Sequence, residues 1–214
     1  MSTTKDRLLD SAEQLFSREG FSSTSVRQIT AAAGVNLAAL NYHFGSKEQL
    51  ISAVFARRLG PLNEERLGLL ERCSRESEGG VPSLRASVTA LVGPALRLSQ
   101  DPDRGGERFM LLMGRAFSEP GHGVEELVLR QFEELAQRFF PVFRHHLGDL
   151  SEETFFWRIH FLIGAMAHTM AASKRLDFVS GGCCSLDNPE AAVGRLVDFV
   201  VAGLRAPDRV ETKP

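Results

Sequence analysis

The stretch Thr24–Lys47, TSVRQITAAAGVNLAALNYHFGSK, decides the fold. Residues 25 to 33 put Val26, Ile29 and Ala33 on one face at helical spacing, and Gly34 supplies the positive φ that ends a helix. After that turn Val35 is expected to enter the core and Asn36 to act as an N-cap. Leu40 and Phe44, four residues apart, then pack against the preceding helix. Leu37, Ala38, Asn41 and Tyr42 are left pointing outward. A short helix after a tight turn, with small and hydrogen-bonding residues on its outer face, suits the DNA major groove. Two ordinary core helices would show the same spacing, so the flanking chain has to discriminate.

Upstream, residues 4 to 18 read as a helix with an apolar stripe of Leu8, Leu9, Ala12, Leu15 and Phe16, closed by Gly20, with Phe21 packed beneath. The SSTS run supplies capping hydroxyls, and Ser25 with Gln28 has capping-box spacing. Downstream, Gly45-Ser46-Lys47-Glu48 ends the third helix, and Ser46 caps a linker helix over 46–75. Gly60-Pro61 is expected to interrupt or kink it, because proline removes a helical hydrogen bond. SEGGVP, residues 77 to 82, reads as a loop. Residues 83–99, 105–118, 122–147, 151–174 and 189–205 each carry apolar spacing near 3.6, separated by QDPDRGG, SEPGHG, GDLS and SGGCCSLDNP. The expected fold class is therefore all-α, with about nine helices. A three-helix helix-turn-helix domain occupies 1–48, a helical ligand-binding and dimerisation bundle 49–206, and a polar, frayed tail 207–214.

Bulk properties narrow the class without naming it. A length of 214 residues allows one large domain or two small ones, and 43% hydrophobic with 24% charged residues is ordinary for a globular chain. No apolar run approaches the about 20 residues that span a bilayer, and the N-terminus MSTTKDRLLD lacks a signal-peptide core, so a cytoplasmic location is expected. Three cysteines, Cys73, Cys183 and Cys184, form no disulfide framework. Residues 1 to 50 hold five bases and five acids, so a DNA reader here must rely on placement rather than bulk charge.

The combination of A-x-x-L-F, G-F-x-x-T-S-V-R-x-I, A-x-x-A-G-V and Y-H-F-x-S-K-E-x-L across residues 4 to 55 resembles the N-terminal DNA-binding domain of the TetR family of transcriptional regulators. N-L-A-A-L-N-Y-H-F-G-S-K, R-x-L-G-P-L and Phe155-Phe156-Trp157-Arg158-Ile159-His160-Phe161 are similar to regulators of the PsrA type, which respond to long-chain fatty acids or their CoA thioesters. The resemblance implies roles for individual residues. Arg27 matches a position that reads guanine, which a guanidinium can grip at O6 and N7. Asn36, Leu37, Ala38 and Asn41 match groove-facing positions, where Ala38 can touch a thymine methyl and Asn41 can pair with adenine. Tyr42, His43 and Lys47, with Thr24 or Ser25, match the phosphate clamp. Many relatives carry a basic residue and a threonine where this chain has Leu37 and Ala39, so DNA shape is expected to contribute more to specificity.

The C-terminal segments are rich in Phe and Met, and such surfaces line adaptable apolar cavities as well as cores. Phe109, Met110, Met113, Phe117, Phe139, Trp157 and Phe161 are candidate effector-lining residues, with Arg115, Arg158 and His160 as cations for a carboxylate or phosphate head group. Phe155, Ile159, Leu162, Met166 and Met170, with Val193, Leu196, Val197, Val200 and Leu204, form two apolar stripes expected to build a four-helix bundle with a symmetry mate. The partners implied are double-stranded operator DNA, a hydrophobic effector and a second copy of the chain. Effector binding is expected to displace the linker helix that begins near Lys47, releasing the DNA. The rival readings are a regulator of efflux or stress genes responding to a xenobiotic or oxidant, and a small-molecule-binding protein without DNA activity. The sequence predicts no enzyme, cofactor or metal site: His145-His146, His160 and His168 are poorly spaced for ligation, and vicinal Cys183-Cys184 is the one thiol feature set apart.

Overall fold

In the computed structural model, residues 3–119, 123–171 and 173–208 are described, those at 173 and 174 by backbone alone. Every regular element among them is helical, giving eleven α-helices and one 3-10 turn at Glu78–Gly80. The chain forms two compact units. The first takes 1–64 and 102–134, the second 65–101 and 135–214. The expected boundary of 48 and 49 falls inside the first unit, which also takes in segment 102–134.

In the first unit, α1 (Thr4–Glu19), α2 (Val26–Ala33) and α3 (Leu37–Phe44) pack with the start of α4 (Lys47–Glu76), α6 (Gly106–Ser118) and α7 (Val124–Arg130). Thr3 and Asp6 form a reciprocal cap that starts α1. Its stripe Leu8, Ala12 and Phe16 is buried with Phe21, Ile29, Leu40, Phe44, Leu50 and Phe55. The rings of Phe16 and Phe21 lie 5.1 Å apart, and those of Phe21 and Phe55 5.8 Å. Each such ring removed from water contributes about 1.5–3 kcal/mol, which is what holds these short helices together.

In the second unit, α5 (Leu84–Ser99) is buried over most of its surface and packs chiefly against α11 (Pro189–Leu204) and also α9 (Glu152–Met170). α8 (Glu133–His146) contributes Phe139 and Phe143, and the Arg144 guanidinium lies 3.8 Å from the centroid of the Phe155 ring. Buried Arg66 of α4 donates to the Leu91 carbonyl at 2.8 Å and approaches the Met166 sulfur at 3.6 Å. Burial draws its pKa down to about 10, so it remains charged at neutral pH.

Three expectations about the helices are corrected. α4 runs unbroken through Pro61, which sits at an exposed position of the helix. The single helix expected over 122–147 is divided between Arg130 and Glu133, where the Asn63 amide donates to the Gln131 carbonyl at 2.7 Å in place of a helical N–H. α10 (Ser173–Ser180) begins where a helix was expected to end; its apolar residues Leu176, Phe178 and Val179 are exposed, so no buried stripe announces it. These two extra elements raise the count from about nine. Most of the predicted frayed tail, from 209 onward, and part of the SEPGHG turn lie outside the described residues. No described helix is long and apolar enough to cross a membrane.

Candidate nucleic-acid interface

Local capping fixes α2 and α3. The Ser25 hydroxyl accepts from the Gln28 N–H at 3.2 Å, and the Gln28 side-chain oxygen accepts from the Ser25 N–H at 2.7 Å. Gly34 ends α2 at φ 63°, its N–H bonded to the Ala31 carbonyl, while the Val35 N–H reaches the Thr30 carbonyl at 3.0 Å. The Asn36 oxygen then accepts from the Ala39 N–H at 2.9 Å and starts α3. Val35 stays half-buried rather than entering the core.

With Leu40 and Phe44 turned inward, Leu37, Ala38, Asn41, Tyr42 and His43 are exposed on α3, as are Ser25 and Arg27 at the start of α2 and Asn36 at the cap. Tyr42 is 86% exposed, its ring in edge contact with His43 at 5.2 Å. The face combines a guanidinium, two carboxamides, a phenol, an imidazole and apolar tips. That donor and acceptor set can address both base edges and phosphates.

Two residues predicted for the phosphate clamp are engaged inside the protein. Thr24 is 0% exposed, and its hydroxyl donates to the Gly20 carbonyl at 2.7 Å, so it locks the α1–α2 turn and has no surface to offer a phosphate. Lys47 is half-buried, and its ammonium donates to the Phe21 carbonyl at 2.6 Å. The N–H of the same Phe21 donates to Glu119 at 2.9 Å, and that of Ser22 to the same carboxylate oxygen at 3.3 Å. Arg115 meets Glu119 at 3.3 Å and donates to the carbonyls of Ser17 at 2.9 Å and Arg18 at 2.6 Å. One turn of backbone is thus held by α4 from one side and α6 from the other. Gly20 is required there: its φ is +92°, and a Cβ would collide with the Glu119 carboxylate.

Glu13 of α1 is buried among the two arginines of α4, bonded to Arg57 at 2.6 Å and to Arg58 Nε at 2.9 Å, while Arg57 also meets Asp10 at 2.7 Å. Burial alone would raise the Glu13 pKa; the hydrogen bonds and charges of Arg58 and Arg57 outweigh it and hold the carboxyl below the ordinary glutamate value. α1 and α4 are thereby joined by an ion cluster as well as through Phe21, whose ring meets Phe16 of α1 and Phe55 of α4.

Residues 8–54 match the family described as bacterial regulatory proteins, tetR family, and residues 89–203, over half of the chain, match the tetracyclin repressor-like C-terminal domain. The chain belongs to the TetR family. Within it, the HTH-type transcriptional regulator AcrR of Shigella flexneri is 41% identical over 68 residues, which cover 32% of this chain and 29% of AcrR. The chain aligns with less than a third of the length of the curated relatives it matches first. A TetR-family regulator from Streptomyces coelicolor shares the fold at TM-score 0.59 and 24% identity, covering 94% of each chain. The fatty acid degradation regulator FadR from Bacillus halodurans does so at TM-score 0.65 and 14% identity, covering 97% of this chain and 99% of that one.

In this TetR-family chain the predicted effector residues are distributed over both units. Phe109, Met110, Met113, Arg115 and Phe117 belong to the first unit, and Phe139, Trp157, Arg158, His160 and Phe161 to the second. Phe109 and Phe139 are packed core, Met110 and Met113 are half-buried, and Phe117 is exposed. Arg115 is committed to the α1 carbonyls. Arg158 caps α11 instead, donating to the Leu204 carbonyl at 2.6 Å and the Pro207 carbonyl at 3.3 Å. Trp157 and Phe161 are exposed and stack at 5.6 Å, with His160 edge-on to Trp157.

The predicted interface stripes are corrected as well. Phe155, Ile159, Leu162, Met166, Met170, Val193, Leu196, Val197, Val200 and Leu204 are all buried within the second unit, where α9 and α11 meet α5. These helices carry apolar residues on two faces, and periodicity does not say which one turns inward. The outward faces present Phe156, Trp157, Phe161 and Gly164 on α9, and Phe199, Ala202 and Gly203 on α11. Between them lies an apolar cleft of ≈ 220 Å³ lined by Arg158, Phe161, Leu162, Phe199, Val200, Gly203 and Leu204. Among the described residues no cluster of three His, Cys, Asp or Glu could hold a metal ion, and the His146 ring donates to the Pro82 carbonyl at 2.8 Å.

Proposed function

We propose that this protein is a homodimeric transcriptional repressor that binds a pseudo-palindromic operator and is released by an apolar acyl effector, a long-chain fatty acid or its CoA thioester. The observation that carries the reading is the face of α3, where Ala38, Asn41 and Tyr42 stand exposed after a Gly34 turn, with Arg27 also exposed on α2. Membership of a family of bacterial regulators supports the same conclusion.

Dimerisation is supported by the outward faces of α9 and α11. Phe199 is 71% exposed and Phe161 62%, and open space lies over Gly164 and Gly203, room for a second pair of helices to approach closely. Two readers related by a two-fold axis address half-sites about 34–36 Å apart, or a multiple of that. The acyl effector is supported by the likeness of the Phe155–Phe161 motif to regulators of the PsrA type. Release is proposed to act at Phe21, whose N–H and carbonyl are held by α6 and α4, so a shift of either helix tilts α2 and α3.

Footprinting over DNA upstream of the protein's own gene tests the operator. Two protected half-sites in register are expected; a protein that protects no DNA at low salt would leave only small-molecule binding. Thermal stability and operator affinity measured with long-chain acyl-CoAs and free fatty acids test the effector. If neither quantity changes, the acyl assignment falls while the operator assignment stands.

A further inference from the structure

Cys183 and Cys184 are adjacent, exposed and free, in the loop between α10 and α11. The loop opens with Gly181 and Gly182 at φ 62° and 84° and turns back on α10: the Cys183 N–H donates to the Ser180 carbonyl at 3.3 Å and the Cys184 N–H to the Ser180 hydroxyl at 3.0 Å. Both backbone amides are satisfied by the same serine, which fixes the stretch of backbone that carries the two exposed thiols. Nothing in the operator or effector reading uses them.

We propose that this pair is a two-thiolate chelating site for a soft, thiophilic Lewis acid of the trivalent organoarsenical class. The donor set selects the class. Structural zinc takes four ligands, whereas no group of three His, Cys, Asp or Glu suited to a metal occurs among the described residues. Thiolates favour soft acceptors, and an organoarsenical already carries carbon as its third bond, so two sulfurs complete it. Ring closure selects it too. Neighbouring Cα atoms across a trans peptide stand about 3.8 Å apart, below the about 4.4–6.8 Å usual for a disulfide, so direct S–S closure is disfavoured. An arsenic atom inserted between the sulfurs enlarges the ring and removes that constraint. Phe178 and Val179, exposed at the end of α10, offer an apolar surface for the organic substituent.

The step balances without oxidant or reductant. Two S–H protons and the two hydroxyls of a dihydroxyarsine leave as two waters, two As–O bonds break, two As–S bonds form, and arsenic stays trivalent. The site binds independently of the operator.

Phenylarsine oxide titrated into the full chain, followed by intact mass and free-thiol count, tests the proposal. Uptake of one equivalent is expected, with two of three thiols consumed, resistant to excess glutathione and reversed by dithiothreitol. Cys73→Ser is expected to bind as the unaltered chain does, while Cys183→Ser and Cys184→Ser each lose the glutathione-resistant adduct, with helical circular dichroism unchanged in all three. A resistant adduct that survives either of the last two variants, or an adduct that glutathione strips from the unaltered chain, overturns the assignment.

Discussion

Arg27 and Asn41 are exposed side chains whose chemistry matches base edges in the major groove, a guanidinium for guanine and a carboxamide for adenine. Replacing either with alanine should weaken operator binding by about 1–3 kcal/mol, read by fluorescence anisotropy at fixed salt, while leaving the melting temperature unchanged. Glu119 belongs to the opposite kind of residue, invisible at the DNA face yet bonded to the backbone beneath it. Its alanine variant leaves the Phe21 and Ser22 N–H groups without their charged acceptor and should cost about 1.5–3 kcal/mol of stability, measured by urea unfolding. Ser25, Gln28, Gly34 and Asn36 were legible from sequence because each acts on a neighbour three to five residues away. Thr24, Lys47, Arg115 and Glu119 were not: the last two act on residues 97 and 98 positions distant, and no local pattern records such a pairing.

At the scale of elements, the reader depends on caps rather than on helix length. α2 and α3 have eight residues each, too short to persist without the reciprocal Ser25–Gln28 bonds, the Asn36 cap and the buried Ile29, Leu40 and Phe44. Ser25→Ala should therefore cost about 0.5–2 kcal/mol. Gly34→Ala should cost about 1–2 kcal/mol, because a Cβ is disfavoured at φ 63° even with little nearby to obstruct it. Both are read as a lowered denaturant midpoint at unchanged m-value. α9 and α11 show where element-scale reading fails. Their apolar period was visible, but an amphipathic pattern with apolar residues on two sides leaves the inward face undetermined until α5 is seen to occupy it.

For the whole molecule, pH and assembly are the informative variables. The Glu13 carboxyl sits below its ordinary pKa in the folded chain, so the folded state binds that proton less readily than the unfolded one. Its contribution is complete above the ordinary glutamate pKa and is lost as pH falls toward and through the lowered folded value. Stability should accordingly decline on acidification across that window, and Glu13→Gln should flatten the decline in a pH series of melting temperatures. Phe199→Asp places a charge on the outward face of α11 without touching its buried stripe. It should convert the proposed dimer to a monomer by analytical ultracentrifugation and lower operator affinity, while the helical content is retained; a dimer that survives the change would place the interface elsewhere.

The sequence by itself determined the all-helical class, the helix-turn-helix, its caps and its glycine turn, because these follow from spacing and from interactions within a few residues. Family membership was legible there too, since its motifs lie in one contiguous run. The tertiary structure decided which apolar faces are core, that Thr24 and Lys47 serve the fold, that Arg115 and Arg158 hold helix ends, and that segment 102–134 joins the reader. Each of those outcomes depends on which distant surface reaches a residue first, and burial of a face or a carbonyl is settled only when the chain has closed on itself.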